Sequence, residues 1–188
     1  GEYTLTAKAT DRNGLSAEAN FQVTVTKKPV ATPPPPTKPI GGSSSSTSGD
    51  TRATRLAEAK AEAKRVVSQI ISPSMSDYDK AYAICYYLNH NVALQTDQST
   101  EAYKVNHGDE AYAALLLKKA ACSGFCHAVT LMCQEAGLTS KHMNEDLWTH
   151  QWNMVLVDGK WIVLDAQGGF FGMETHPLES GTFPVIIG

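Results

Sequence analysis

A run rich in proline, glycine and serine at residues 28–50 has the composition of a linker between two parts of this chain. The run reads KPVATPPPPTKPIGGSSSSTSGD. Clustered prolines favour the extended polyproline II conformation, and Gly/Ser tracts behave as flexible coil. We therefore predict three parts, which are a terminal unit over 1–27, a linker over 28–50 and a main domain over 51–188.

Residues 1–27 alternate between apolar and polar side chains, as β-strands with one buried face do. The sequence DRNG (Asp11–Gly14) provides turn residues midway, so a β-hairpin is predicted. Because two strands alone are marginally stable in water, we expect this hairpin to be the end of a β-sandwich truncated upstream. It resembles the last hairpin of bacterial immunoglobulin-like or cadherin-like surface modules. With the proline-rich spacer, this resemblance predicts a secreted or cell-surface protein.

The main domain begins with a helical period and changes to a strand period. A first helix with one apolar stripe should end before Pro73. A second helix should begin with Ser76 and Asp79, which form a variant of the capping box. Further helices are expected at 110–118 and from Ser123 to Ala136. The segments WTHQWNMVLV and KWIVLDAQ then flank Asp158-Gly159, a strong hairpin signal. Helices followed by antiparallel strands predict an α+β fold.

The hairpin turn also predicts which side chains share a face. A two-residue Asp-Gly loop pairs Val157 with Lys160, so Trp152 should oppose Asp165. His150 lies two residues before Trp152 and therefore on the same face, diagonal to Asp165. Such neighbours are within reach for long side chains. We expect Asp165 to hold one ring nitrogen of His150 and the other to face a third group.

Cys122, in the stretch ACSGFCHAVTLMC, is the candidate third group. It precedes or opens a helix, where the positive end of the helix dipole favours a thiolate. A cysteine activated by a helix N-terminus and an imidazolium is a nucleophile at neutral pH. The small neighbours Ser123 and Gly124 are expected to let a substrate backbone approach closely.

These residues resemble a transglutaminase-like domain, on the papain-like cysteine-enzyme architecture. The resemblance rests on Cys122-Ser123-Gly124-Phe125, on His150-Gln151-Trp152-Asn153, and on Gly159-Lys160-Trp161 through Asp165, and it covers about residues 51–172. It implies a nucleophilic cysteine at a helix start, packed on an antiparallel sheet. By the same resemblance Cys122 is the nucleophile, His150 the general base and acid, and Asp165 the orienting carboxylate.

The resemblance also implies the chemistry. Members of this family form a thioester on the cysteine from a glutamine amide or a peptide carbonyl, and they pass the acyl group to water or to an amine. We expect an enzyme that performs protease-like hydrolysis, with amine-transferring crosslinking as an alternative. Ala166 replaces the family's usual threonine and Gln151 its usual alanine, so a catalytically lapsed binding or adhesion module is a further alternative.

The other cysteines have simpler interpretations. Cys85, Cys126 and Cys133 are expected to be free core thiols, although a disulfide from Cys85 to Cys126 or Cys133 stays open. A zinc site formed by Cys122, Cys126, His127 and Cys133 is disfavoured, because adjacent helical side chains diverge by about 100°. We place the remaining histidines on the surface: His90, His107, His142 and His176.

Composition limits the partners. The net charge of −3 gives no reason to expect nucleic acid or an anionic membrane as a partner, and no apolar run is long enough to span a bilayer. No phosphate-binding or dinucleotide glycine motif is present. No cofactor and no metal are predicted. The expected partner is a protein or peptide substrate, with cell-wall peptide among the candidates. The oligomeric state is left open.

Overall fold

A computed structural model describes residues 2–10, 16–24, 50–97, 99–145 and 150–180. The chain divides into two compact units, with the division between Thr32 and Pro33. The linker predicted over 28–50 lies outside the described residues, apart from Asp50.

In the first unit the described residues form two paired strands, as the alternation predicts. Its strands β1 (Glu2–Thr10) and β2 (Ser16–Thr24) pair antiparallel, with Leu5 opposite Phe21. The predicted turn at Asp11–Gly14 lies outside the described residues. A larger immunoglobulin-like or cadherin-like module around this hairpin stays a prediction.

The second unit begins with helix α1 (Arg52–Ile70), which Thr51 caps by accepting the backbone N–H of Thr54. The helix ends before Pro73, as predicted, and buries one face. The buried residues of this face are Ala59, Ala63, Val66 and Val67. Leu56, near the start of the helix, is 45% exposed.

Helix α2 (Asp77–Asn91) begins with the predicted capping box. Ser76 Oγ accepts the backbone N–H of Asp79 and donates to the carboxylate of that residue. The buried residues of α2 are Ala81, Ile84, Cys85, Tyr87 and Leu88.

The next segment is more structured than its polar sequence indicates. It forms strand β3 (Ala93–Leu94) and helix α3 (Thr100–Asn106). The helix expected at 110–118 is present but adopts π-helical geometry over Ala113–Leu117. Strand β4 (Lys119–Ala120) follows and pairs parallel with β3. This pairing fixes the chain immediately before Cys122.

Helix α4 (Cys122–Glu135) is the centre of the domain. It contacts α1 and α2 on one side and strands of the sheet on the other. Gly137, with φ of 74°, ends it in the left-handed conformation that favours glycine. Most of its length is buried, so its position is determined by apolar packing.

A four-stranded antiparallel sheet completes the domain. Its strands, in spatial order, are β5 (Thr139–Met143), β6 (Trp152–Val157), β7 (Lys160–Asp165) and β8 (Phe170–Phe171). The β6–β7 register pairs Val157 with Lys160 and continues to Asn153 with Leu164, as the turn predicts. Asp158 and Gly159 both have positive φ, which the type I′ turn requires. A short helix, α5 (Pro177–Ser180), follows the sheet.

The second unit therefore has the predicted α+β architecture, with helices packed on an antiparallel sheet. Its largest fully buried side chains come from both layers, and they include Trp152, Ile84, Leu88, Leu115, Met132 and Leu164. Within the described ranges, no helix combines the length and the apolarity needed to cross a bilayer.

Gly124 is required for the close packing of α4. A Cβ atom at this position would clash with the carbonyl oxygen of Gly108 and lie 2.9 Å from the Cβ of Ala120. Gly-to-Ala in a helix normally stabilises by about 0.5–1 kcal/mol, whereas overpacking costs about 1–3 kcal/mol. We expect Gly124→Ala to lower the free energy of unfolding by about 1–3 kcal/mol in urea titrations. Ser123→Ala is the matched control and should change it by less than about 0.5 kcal/mol; equal stability of the two variants would contradict the packing.

Candidate active site

Cys122 is the first residue of α4 and is half-buried. Its sulfur interacts with the side chain of His150 and with the backbone N–H groups of Gln151 and Ser123. Burial raises the pKa of the Cys122 thiol, but these three groups favour the thiolate and bring the pKa below its ordinary value of 9.0. The helix dipole acts in the same direction. Cys122 therefore has the environment of a reactive thiol.

His150 bridges Cys122 and Asp165. Its Nε2–H donates to Asp165 Oδ2 at 2.7 Å, which leaves Nδ1 for the contact with Cys122. The hydrogen bond to Asp165, followed by the one to Cys122, raises the pKa of His150 from 6.5 to about 9 against the opposing effect of burial. The three predicted site residues thus lie in one connected chain, and the predicted His150–Asp165 contact is present.

Asp165 is a buried carboxylate that is only 1% exposed. Oδ2 accepts hydrogen bonds from His150 and from His176 Nε2 at 3.0 Å, and Oδ1 accepts the backbone N–H of Gly168 at 2.8 Å. Burial raises the pKa of Asp165, but its hydrogen-bonded partners lower it further, so the net shift is downward. The carboxylate is consequently ionised when His150 is protonated.

His176 belongs to this site, and its predicted surface location is wrong. It is fully buried and stacks on Trp152 with ring centroids 4.1 Å apart. The backbone N–H of Leu178 donates to His176 Nδ1 at 3.2 Å, so the proton resides on Nε2 and points at Asp165. His176 is a positioning residue for the carboxylate. The polar sequence around it carries no signal of this role, because the contact depends on how the chain returns after β8.

The expectation that Gly124 gives room to a substrate is also wrong. Gly124 is buried, and the space beside it is filled by the chain itself at Gly108 and Ala120. The backbone N–H of Ala121 donates to the same Gly108 carbonyl at 2.9 Å. The glycine of the motif therefore holds the start of α4 against the preceding loop.

The remaining cysteines have the predicted core positions. Cys85, Cys126 and Cys133 are buried free thiols, so the disulfides left open from the sequence are not formed. Burial raises the pKa of all three, with Cys133 reaching about 12. Cys122 is the one cysteine whose pKa is lowered.

The remaining histidines differ in how far they are exposed. His90 is exposed, as predicted, whereas His107 and His142 are half-buried. Burial raises the pKa of Tyr103 on α3, and the nearby Cys122 thiolate raises it further. Nothing in the polar sequence of α3 associates Tyr103 with the site.

Two groups among the described residues bring three metal-binding side chains together. In the first, formed by His150, Asp165 and His176, both imidazole Nε2 atoms are engaged by the same carboxylate oxygen. That group is explained by its hydrogen bonds. The second consists of His127, His142 and Glu145 and contains none of the cysteines considered for zinc.

A cysteine, a histidine and a carboxylate linked in this order, on an α+β domain, define the general class of cysteine-dependent sites. The family model described as the transglutaminase-like superfamily matches residues 64–166, which is more than half of the chain. The chain belongs to the transglutaminase-like superfamily, as its motifs indicated. No curated protein matches it.

The chain is similar to two solved structures, of which the first supports this fold. A crystal structure of a TGase is 18% identical with a TM-score of 0.52, covering 69% of this chain and 37% of its own. A candidate cysteine protease from Cytophaga hutchinsonii is 12% identical with a TM-score of 0.46, covering 89% of this chain and 65% of its own. The chain thus spans less than two thirds of the length of either protein.

Proposed function

We propose that this protein is a thiol-dependent enzyme that transfers acyl groups from peptide or glutamine amides through a thioester on Cys122. The observation that carries this proposal is the connected chain from the thiol at the start of α4, through His150, to the buried Asp165. In it Cys122 is the nucleophile, His150 the general base and acid, and Asp165 the group that orients and stabilises the imidazolium.

The first half of the reaction forms the thioester. The Cys122 thiolate attacks the amide carbon, and the C=O electron pair moves to oxygen. The backbone N–H of Cys122 is the proposed donor to this oxyanion, because it lies at the start of α4. As the oxyanion collapses, the C–N bond breaks and the imidazolium of His150 gives its proton to the leaving amine, forming the thioester.

The second half of the reaction restores the site. Water or a primary amine attacks the thioester carbon while neutral His150 accepts a proton from it. The C–S bond breaks and the thiolate leaves, again paired with the imidazolium. With water the product is a carboxylate, and with an amine it is a new amide. We favour protease-like hydrolysis, by analogy with small-domain relatives, over crosslinking.

The competing function is a catalytically lapsed binding or adhesion module. Of the two departures from the family motif that motivated it, Gln151 has a structural role, because its side chain accepts a hydrogen bond from His142. Ala166 is buried, and its backbone carbonyl, which any residue would offer, accepts Asn89 Nδ2 at 2.9 Å. Neither substitution takes away a member of the proposed triad. A secreted or cell-surface location and a peptide partner stay predictions from the sequence.

Selective alkylation of Cys122 tests the proposal. We expect iodoacetamide to modify Cys122 rapidly near pH 6 and to leave the buried Cys85, Cys126 and Cys133 unmodified in the folded protein, as mapped by mass spectrometry. In His150→Ala the thiol loses its imidazolium partner while burial persists, so the pH at which the rate rises should move up towards or above 9.0.

The matched control is His90→Ala, because His90 is an exposed histidine on α2. It should leave the alkylation profile of the wild-type protein unchanged. If Cys122 reacts no faster than an ordinary thiol, with or without His150, the proposed enzyme is refuted and the binding module takes its place.

A further inference from the structure

His127, His142 and Glu145 form a second cluster of functional side chains, separate from the proposed triad. Each offers one ligand atom, and these atoms all lie within 4.8 Å of one another. His127 comes from α4, His142 from β5, and Glu145 from the turn that follows β5. The imidazole rings are perpendicular, with centroids 5.2 Å apart.

Hydrogen bonds fix which nitrogen of each ring has a free lone pair. His127 Nδ1–H donates to the carbonyl oxygen of Asp109 at 2.8 Å, so Nε2 carries the lone pair of the neutral ring. His142 Nε2–H donates to Gln151 Oε1 at 2.8 Å, so Nδ1 is unprotonated. Gln151 is held in this orientation because its own amide donates to the Glu145 carbonyl at 3.3 Å. A carbonyl or amide partner behind each imidazole is the arrangement that supports metal-binding histidines.

We propose that His127, His142 and Glu145 bind a divalent transition-metal ion. Two imidazoles and one carboxylate are a donor set that Zn²⁺ and related ions prefer, and three protein ligands leave a position for a further ligand. Zn–N distances of about 2.0–2.1 Å place tetrahedral ligand atoms roughly 3.3 Å apart. The cluster must therefore contract. Glu145 is exposed and can supply this movement, whereas His127 and His142 are held by their hydrogen bonds.

Gln151 connects this cluster to the proposed active site. The Gln151 side chain holds His142, and the Gln151 backbone N–H interacts with the sulfur of Cys122. Binding would join α4, β5 and the turn after β5, next to the Gln151 contact with the thiol. This inference goes beyond the proposed function and does not depend on it, because the ligands are distinct from the triad.

Titration of the metal-free protein with Zn²⁺ alone, followed by calorimetry, tests the site. We expect one ion per chain, a higher thermal midpoint, and at least a tenfold rise in Kd for His127→Ala and His142→Ala. Glu145→Gln is the decisive variant, because an exposed side chain can be changed without disturbing the core, and it should also weaken binding several-fold. His90→Ala is the matched control and should bind as the wild-type protein does.

Cys122→Ala separates this site from zinc binding at the reactive thiol. We expect the variant to retain the full affinity, and the visible spectrum of its Co²⁺ form to match that of the wild-type protein without a thiolate charge-transfer band. The proposal is overturned if Cys122→Ala loses the ion, if Glu145→Gln binds unchanged, or if the protein takes up no ion. None of these outcomes alters the alkylation test of the proposed enzyme.

Discussion

Replacing Asp165 with alanine is expected to lower the free energy of unfolding by about 3–5 kcal/mol at pH 7, the range for breaking a buried ion pair by removing one partner. The carboxylate accepts hydrogen bonds from His150, His176 and the backbone N–H of Gly168. Its removal leaves the fully buried His176 donor without its acceptor. Urea unfolding monitored by tryptophan fluorescence measures the effect. Asp77→Asn, at an exposed carboxylate on α2, is the matched control.

Asp165→Asn separates charge from shape. The amide keeps the volume of the carboxylate but cannot stabilise an imidazolium, so we expect a smaller loss of stability together with a large loss of Cys122 alkylation near pH 6. If the asparagine variant retains wild-type alkylation, Asp165 is a structural residue and has no role in activating the thiol.

The same carboxylate predicts how stability depends on pH. The pKa of Asp165 is lowered by folding, so its contribution is present above the ordinary value of 3.8 and is lost as pH falls through the folded pKa. The pKa of His150 is raised from 6.5 to about 9, so its contribution is present below 6.5 and is lost as pH rises through about 9. In Asp165→Ala the free energy of unfolding, measured in urea at a series of pH values, should fall less steeply at both low and high pH. A profile unchanged in shape would contradict the assignment.

The parts of the fold that follow from local sequence were predictable. The Asp158-Gly159 turn has a geometry that its own residues impose, and this geometry fixes the β6–β7 register. The capping box of α2 and the glycine that ends α4 likewise depend on a few adjacent residues. Because the register places Asp165 near His150, two members of the candidate site could be brought together from sequence.

The parts that depend on distant contacts were not predictable. The β3–β4 pair joins short segments more than 20 residues apart, and the sequence of two-residue strands has too little periodicity to be recognised. His176 is buried because Trp152 and Asp165 lie where the chain turns back. His142 is half-buried for a similar reason, because it contacts Gln151 on the neighbouring segment. In each case the determining partner lies elsewhere in the chain, so local composition favoured a surface position.

Gly124 illustrates the difference between recognising a motif and knowing what it does. The family pattern correctly draws attention to the glycine after Cys122 and Ser123. Its neighbour could not be inferred, because the contacting carbonyl belongs to Gly108, in the turn between α3 and the π-helical segment. The close approach fixes the start of α4, and the position of the thiol follows from it.

Replacing Cys122 with alanine is expected to abolish amide chemistry, with a rate at least ~10³-fold below that of the wild-type protein. Without the sulfur no thioester can form, and His150 has no thiolate to pair with. The measurement is incubation of a complex peptide mixture with the protein and a primary-amine probe, followed by mass spectrometry. New termini report peptide hydrolysis, deamidated glutamines report glutamine hydrolysis, and probe adducts report amine transfer.

Cys126→Ala is the matched control, because Cys126 lies one turn further along the same helix and is buried. It should retain the activity of the wild-type protein while losing some stability from the missing sulfur. Activity that persists in Cys122→Ala would refute the proposed nucleophile. If the wild-type thiol is reactive but no peptide is cleaved, deamidated or labelled, the acyl-transfer proposal fails, and the fold serves as a binding module that has kept an activated cysteine.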